Sequence, residues 1–273
     1  MNDTLVRVLM VAGMLTAFIV VEFAIGRFPI RGVSSRNNWL DVAAFAQATF
    51  LAGPLIAYGT ALIETVLFPG HAGAWSAAPW WLQLVAFLVC EDMVQYWYHR
   101  ASHKYAWLWP AHKFHHTPEY MGVRIIWRNS FLYDLLMPNI WLAGVLVYLG
   151  FGEVFFWYNL VKLFITMGAH STTRWDEVLY RHQALHPIAW IVERTVSTPA
   201  THFAHHALDE SDGIGHYNGN FGNLLFFWDV LFGTARITRK YPPAFGVAVD
   251  PKAGPDPWYV LIFYPLFRRD GVR

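Results

Sequence analysis

Long apolar segments separated by short polar ones dominate the first two thirds of the chain. Five segments approach the roughly 20 apolar residues that a helix needs to cross a bilayer, at residues 5–25, 42–68, 79–98, 131–149 and 154–169. The pattern predicts an all-α fold, an integral membrane helical bundle with four or five spans. Two later apolar runs, 224–232 and 258–267, are too short to cross and are expected in the membrane interface.

The number of spans depends on the first two segments. The first is predicted to be a membrane helix and not a secretory signal peptide, because its apolar run is long, Glu22 interrupts its end and no small-x-small cleavage signal follows. Gly53-Pro54 in the middle of the second segment predicts either one kinked helix or a re-entrant pair. Four and five spans therefore both stay open.

Basic residues predict how the segments are oriented. The loop after the first segment carries Arg27, Arg31 and Arg36 and no acidic residue before Asp41, so the positive-inside rule places it in the cytoplasm. With a turn at residues 149–152 on the opposite side, all segments with clustered histidines reach the cytoplasmic face. We predict a multi-pass protein with a cytoplasmic histidine-rich helical cap.

The composition agrees with a membrane protein and excludes some other classes. The 273 residues are 55% hydrophobic and 14% charged, unlike a typical soluble domain. A net charge of +1 gives no basic footprint for nucleic acid, and the single cysteine allows no intrachain disulfide. We expect N-terminal membrane helices in residues 1–78, a catalytic domain in 79–240 and an interfacial tail in 241–273.

Eight of the thirteen histidines fall into three short motifs. One motif is H-x3-H and two are H-x2-H-H, spacings that turn imidazoles toward one face of a helix. The members are His99 and His103, then His112, His115 and His116, and finally His202, His205 and His206. Unpartnered imidazoles near lipid are costly, and one metal rarely takes more than four to six protein ligands. The motifs therefore predict two metal ions.

Missing motifs narrow the choice of metal. The chain has no H-E-x-x-H sequence of a zinc protease, and a bis-histidine haem site needs fewer histidines. The histidines also lie just beyond the predicted spans, whereas a zinc transporter would carry them inside. Two irons that activate dioxygen fit best. The alternative is a membrane metal-binding or transport protein with zinc in the histidine cluster.

Four stretches between about residues 92 and 234 carry a family resemblance. They read DMVQYWYHRASH, WPAHKFHHTPE, TPATHFAHH and NFGNLLFFWDVLFGT, and they resemble the fatty acid hydroxylase or sterol desaturase superfamily of membrane di-iron enzymes. The resemblance implies that the eight histidines ligate two irons, that dioxygen is the cosubstrate, and that a lipid is hydroxylated or desaturated.

The resemblance also implies a further ligand on the helix between the two H-x2-H-H motifs. We favour His170, because it follows an apolar span and so emerges beside His99. His182 and His186 are reserve ligands. No catalytic residues beyond these metal ligands are predicted.

Acidic residues are expected to orient some of the ligands. Asp92 precedes His99 by two helical turns, where its carboxylate could accept an imidazole N–H, although Arg100 is an alternative partner. Asp229 is expected either to orient the last histidine cluster or to cap a turn. Glu91 and Glu119 are weaker candidates for the same role.

Electrons are expected from a separate protein. The chain has no dinucleotide-binding fingerprint and no cysteine set for an iron–sulfur centre. We predict a ferredoxin, or a cytochrome with its reductase, that docks on basic residues of the cytoplasmic face. The candidates for this surface are Lys104, Lys113, Arg124 and Arg128.

Tryptophans are candidate walls for a lipid slot, or ordinary members of the aromatic belt at the membrane surface. They are Trp97, Trp107, Trp109, Trp127 and Trp157.

Overall fold

The computed structural model describes residues 3–29, 33–248 and 254–267, so Arg31 of the predicted cytoplasmic loop lies outside the described residues. Within these ranges the regular secondary structure is helical apart from one isolated bridge between Ala207 and Phe245, and the all-α prediction is confirmed. The α-helices are α1 (Asp3–Ala24), α2 (Ser35–Gln47), α3 (Gly53–Leu67), α4 (Trp80–Phe87), α5 (Val94–Lys104), α6 (Trp109–His116), α7 (Phe131–Leu136), α8 (Pro138–Leu146), α9 (Gly152–His170), α10 (Glu177–Arg181), α11 (His186–Thr195), α12 (Pro199–His205), α13 (Phe227–Phe232) and α14 (Trp258–Phe263).

Three segments of the described chain are long and apolar enough to cross a membrane. They are Leu5–Ala24, Ser35–Leu67 and Pro138–His170, and few of the residues in their most apolar windows are buried. Apolar side chains that face outward over such lengths are typical of a surface covered by lipid. The predicted span at residues 79–98 is also helical but is not among the three. Polar side chains within it, Glu91 and Asp92 above all, lower its hydropathy.

The second of these segments is one continuous helix and not a re-entrant pair. A π-helical turn, Ala48–Ala52, joins α2 to α3, and the N–H of Gly53 donates to the carbonyl of Ala48. Pro54 has no N–H, and its ring would clash with the carbonyl one helical turn earlier. The extra residue of the π turn accommodates the proline without ending the helix.

The third segment is a helical hairpin. Asn139 on α8 and Lys162 on α9 both contact Glu91, although a straight helix would separate them by about 35 Å. The chain reverses at Gly150, whose φ of 114° is not helical. A Cβ at this glycine would lie 2.8 Å from the backbone nitrogen of Ser76. The reversal falls within the turn predicted at residues 149–152.

Buried ion pairs fasten the segment after α6 to α2. Asp41 accepts hydrogen bonds from Arg124 Nε at 2.5 Å, from Arg128 Nη1 at 2.7 Å and from the Tyr120 hydroxyl at 2.6 Å. The Arg128 side chain is fully buried, and that of Arg124 is 13% exposed. The prediction that these two arginines belong to a basic docking surface is therefore wrong, because Asp41 holds both inside the fold. Their partner lies more than 80 residues earlier in the chain.

The two predicted docking lysines differ in their surroundings. Lys104 is exposed at the end of α5. Lys113 is partly buried and donates to Asp256 at 2.7 Å. Of the two lysines, only Lys104 therefore has the exposed side chain that was predicted for a docking surface.

Candidate metal centre

Nine histidine side chains meet in two adjacent groups on α5, α6, α9 and α12. Within each group the nitrogen atoms available for a metal lie within 4.8 Å of one another. Site A contains His99, His103, His112, His116 and His205, and site B contains His115, His170, His202 and His206. The structure thus brings together all eight motif histidines and His170.

The short helix α12 and the residue that follows it carry three of these histidines, and the start of the helix is firmly fixed. Thr198 caps it, because the Thr198 side chain accepts from the backbone of Thr201 while the Thr201 side chain accepts from the backbone of Thr198. Pro199 follows at the first helical position, where proline is favoured. The Asp176 carboxylate also accepts from the N–H of Ala200 at 2.8 Å. This anchoring sets the direction in which His202, His205 and His206 point.

Backbone carbonyls fix the tautomers of three of the grouped histidines. His99 Nδ1 lies 2.7 Å from the carbonyl oxygen of Phe221. His205 Nδ1 lies 2.8 Å from the carbonyl oxygen of Gly219, and His170 Nδ1 lies 2.8 Å from that of Thr166. A carbonyl only accepts, so each Nδ1 carries the proton. The lone pair is left on Nε2, which points into the histidine group.

Hydrogen bonding does not explain how the Nε2 atoms are grouped. His202 Nε2 lies 2.9 Å from His170 Nε2 and 3.1 Å from His206 Nε2, yet one imidazole nitrogen donates or accepts only one such bond. In site A, the Nε2 atoms of His99, His103 and His205 are buried with no hydrogen-bond partner among the described residues. Nitrogens about 3 Å apart are expected around a shared metal at about 2 Å. The donor set therefore fits a metal ion in each site.

Burial keeps these histidines neutral. It lowers the pKa of His103, His112, His116 and His205 in site A, and of His202 and His206 in site B, well below the ordinary 6.5. Neighbouring imidazoles lower these pKa values further, because two like charges repel. A metal ligand must be unprotonated, so the metal-free centre already holds the form that binds metal.

The segment from Gly219 to Thr234 supports site A through the carbonyls of Phe221 and Gly219. The Asp229 carboxylate accepts from the N–H of Phe221 at 2.8 Å, the N–H of Gly222 at 2.6 Å and the Thr234 hydroxyl at 2.6 Å. Burial raises the pKa of Asp229 to about 6 despite these three bonds. Asp229 therefore acts on the loop backbone and does not contact an imidazole directly. Of the two expectations for this residue, the turn-capping one describes its contacts.

Asp92 does not contact His99, and this expectation was wrong. Its Oδ2 atom accepts from Trp228 Nε1 at 2.8 Å and from the N–H of Leu225 at 3.2 Å. Its Oδ1 atom lies 3.7 Å from Lys162 Nζ and not beside Arg100. The prediction assumed a regular α-helix, but Leu88–Met93 is π-helical, and the wider turn rotates the preceding residues relative to His99.

The two reserve ligands lie outside both sites. His182 is exposed after α10, and His186 Nε2 lies 3.1 Å from the carbonyl of Tyr180. Of the three candidates between the H-x2-H-H motifs, the structure brings only His170 into a histidine group. Residues that the sequence reasoning missed are Gly219 and Phe221, which orient ligands through their carbonyls and leave no signal in side-chain chemistry.

Two neighbouring cavities lie beside the centre. The apolar cavity has a volume of about 680 Å³ and is lined mainly by α3 and α8. The chamber, about 290 Å³, is lined by His99 and His112 of site A and by His115 and His170 of site B. Trp127 lines both cavities. The other candidate tryptophans contact neither, and Trp97, Trp107 and Trp157 are about half exposed.

Comparisons with known proteins agree with this geometry. The chain is 29% identical over 164 residues to alkylglycerol monooxygenase of Danio rerio, and the aligned region covers 58% of this chain and 31% of that protein. It is 26% identical over 164 residues to alkylglycerol monooxygenase of Homo sapiens, where the aligned region covers 57% of this chain and 32% of the relative. It is also 29% identical over 178 residues to ornithine lipid hydroxylase OlsE of Rhizobium tropici, where the aligned region covers 63% of this chain and 48% of the relative.

The chain thus spans 31% to 48% of the length of these curated relatives. No solved structure matches it significantly. The family model described as fatty acid hydroxylase matches residues 84–234, which is more than half of the chain and includes every histidine of sites A and B. The chain therefore belongs to the fatty acid hydroxylase family.

Proposed function

We propose that this protein is a membrane-bound di-iron oxygenase that hydroxylates a lipid with dioxygen. One observation carries the proposal: nine neutral imidazoles form two adjacent groups, and histidines of both groups line the chamber. The names of the relatives, a monooxygenase and a hydroxylase, support oxygen insertion over desaturation. The zinc-transport alternative gains no support from them.

The chain's own residues hold and orient the metals. His99, His103, His112, His116 and His205 would bind one iron, and His115, His170, His202 and His206 the other. Bound iron would supply dioxygen activation and oxidation of a C–H bond. The carbonyls of Phe221, Gly219 and Thr166 keep three ligand rings in the tautomer that binds metal.

The substrate is proposed to enter from the bilayer. The apolar cavity lies between α3 and α8, within two of the membrane-length segments, and it shares wall residues such as Ile140 and Met137 with the chamber. A lipid chain in this cavity is shielded from water, as apolar ligands require. The carbon presented in the chamber then faces histidines of both sites.

A separate electron donor completes the proposal. We expect a ferredoxin, or a cytochrome with its reductase, on the same side of the membrane as the centre. The arginines of the loop that follows α1 favour the cytoplasm for this side. The burial of Arg124 and Arg128 leaves these two residues out of any docking surface.

The decisive experiment combines metal analysis with lipid profiling. The full chain is purified in nanodiscs without chelating resin, and a host that expresses it is grown under labelled dioxygen. We expect about two irons per chain and a lipid product with one labelled oxygen, which is lost in the His202→Ala, His205→Ala double variant. Zinc in the protein without oxygen consumption, and without any such product, would favour the transport alternative.

A further inference from the structure

A buried polar cluster lies at the wall between the apolar cavity and the chamber. Glu91 lines both cavities, and its carboxylate accepts from Asn139 Nδ2 at 2.8 Å, from Lys162 Nζ at 2.5 Å and from the Tyr158 hydroxyl. All four residues are more than nine-tenths buried. Ionisable groups inside an apolar bundle are costly and usually mark a functional site.

Asn139 carries an acceptor that the protein leaves unused. A carboxylate with these donors around it only accepts, so the Asn139 amide must turn its NH₂ group toward Glu91. The amide oxygen is then fixed on the other side, where it is buried and has no hydrogen-bond partner in the part of the chain that the structure describes. Asn139 is 1% exposed and lines the chamber. An unsatisfied acceptor on a residue that lines the chamber is a candidate partner for a donor on a molecule bound there.

The two cavities differ in polarity as the two ends of an amphiphile do. The apolar cavity is walled mostly by alanine, glycine and branched or sulfur-containing side chains. Besides its histidines, the chamber is lined by five polar residues that do not line the apolar cavity, namely Gln95, Asn139, Lys162, Thr166 and Asn223. A lipid would therefore place its tail in the first and its polar end in the second.

We propose that Asn139 Oδ1 binds a hydrogen-bond donor, a hydroxyl or amine, on the polar end of the lipid substrate, so that oxidation takes place within a few carbons of that end. The inference rests on the proposed function and specifies its substrate class. None of the nine histidines lines the apolar cavity, whereas four line the chamber. Carbons next to the bound polar group are thus the ones nearest to the metals.

Glu91, Tyr158 and Lys162 are positioning residues in this scheme. They hold the Asn139 amide in one orientation and do not themselves need to contact the substrate. Lys162 also donates to Gln95, which lines the chamber. The positive charge of Lys162 is balanced by Glu91, so the chamber selects a donor without requiring an anionic headgroup.

The first test is equilibrium binding without turnover. The full chain as purified, in nanodiscs under nitrogen, is given tritiated hexadecanol, with hexadecanol, hexadecylamine and hexadecyl methyl ether as competitors. The methyl ether keeps the chain and the oxygen but has no donor, so we expect it to compete about tenfold more weakly than the better of the other two. Equal competition by all three would overturn the inference.

The second test uses a matched pair of variants. Asn139→Leu removes the acceptor and should abolish the discrimination against the methyl ether. Ile140→Leu, at the next position and lining both cavities, should retain it. Should Asn139→Leu fail to fold, the competition measured on the unaltered protein still decides.

The third readout is the position of the new oxygen in the product. Mass spectrometry should place it near the polar end, and oxidation at the methyl end of the tail would contradict the inference. The two proposals fail separately. If the protein discriminates against the methyl ether but no oxidised lipid is found, only the oxygenase function is contradicted. If lipid is oxidised but the three competitors bind equally, that function stands and the role of Asn139 is overturned.

Discussion

His99 on α5 and Phe221, 122 positions later, are joined by a hydrogen bond of 2.7 Å from Nδ1 to the carbonyl oxygen. His205 makes the same contact with Gly219 at 2.8 Å. Two ligands of site A therefore take their orientation from one loop, and Asp229 holds that loop through the N–H groups of Phe221 and Gly222. The metal affinity of site A should depend on a carboxylate that contacts no ligand.

Replacing Asp229 with Ala should weaken metal binding at site A about 10- to 100-fold, the usual effect of losing an outer orienting group. Competitive chelator titration of the purified protein measures it. The matched control is Asp209→Ala, whose exposed carboxylate contacts only Ser211. Equal affinities for the two variants would show that the loop does not orient the ligands.

Replacing one histidine from each site tests whether the two groups bind separately. His205→Ala removes a site A ligand and His206→Ala a site B ligand, so each should lower the metal content from about two to about one per chain. Elemental analysis of the purified protein gives the count. His182→Ala, at an exposed position outside both groups, should keep the full content, and a loss there would mean that a ligand has been assigned wrongly.

Acid should destabilise the metal-free protein through its buried histidines. Because burial lowers the pKa of His205 and His206 well below 6.5, the unfolded chain binds more protons than the folded one below that pH. The free energy of unfolding should be constant above pH 6.5 and should fall as the pH drops below that value. The decrease at pH 5.5 should be about 1.4 kcal/mol for each buried histidine.

Thermal unfolding followed by tryptophan fluorescence checks this pH dependence. The exposed His182 serves as the control, and His182→Gln should leave the curve unchanged. A melting temperature that does not vary between pH 7 and pH 5.5 would mean that the histidines are not buried in the metal-free state.

Gly150 should be intolerant of any side chain. Its φ of 114° is strained for other residues, and a Cβ would meet the backbone of Ser76 at 2.8 Å. Gly150→Ala should therefore lower the free energy of unfolding by about 1–3 kcal/mol. Gly13 on α1 has nothing within 4 Å of an added Cβ, so Gly13→Ala should be neutral or stabilising. Thermal unfolding in nanodiscs compares the two, and similar effects would argue against a fixed reversal at Gly150.

Local features of this protein were readable from its sequence. Spacings of three and four residues place histidines on one helical face, and glycines at residues 150 and 152 interrupt an apolar run where the chain reverses. Both signals act within a few residues, so the geometry of a single helix or turn is enough to interpret them.

Features that depend on distant partners were not readable. Arg128 was predicted to be a surface cation because it is charged, but it forms a buried ion pair with Asp41. Asp92 was assigned to His99 on the assumption of regular helical geometry, and a π turn redirected it to Trp228. The carbonyls of Gly219 and Phe221 carry no side-chain information at all. These contacts arise only once the packed loops exist.

The reversal at Gly150 also bears on how the protein is assembled. His170 ends the second arm of the hairpin, and its site B neighbours come from α6, made earlier, and from α12, made later. Site B thus stays incomplete until the hairpin has folded and the chain on both sides has packed against it. Because metal binding is coupled to folding, we expect that a chain whose hairpin is not formed would not retain a metal at this site.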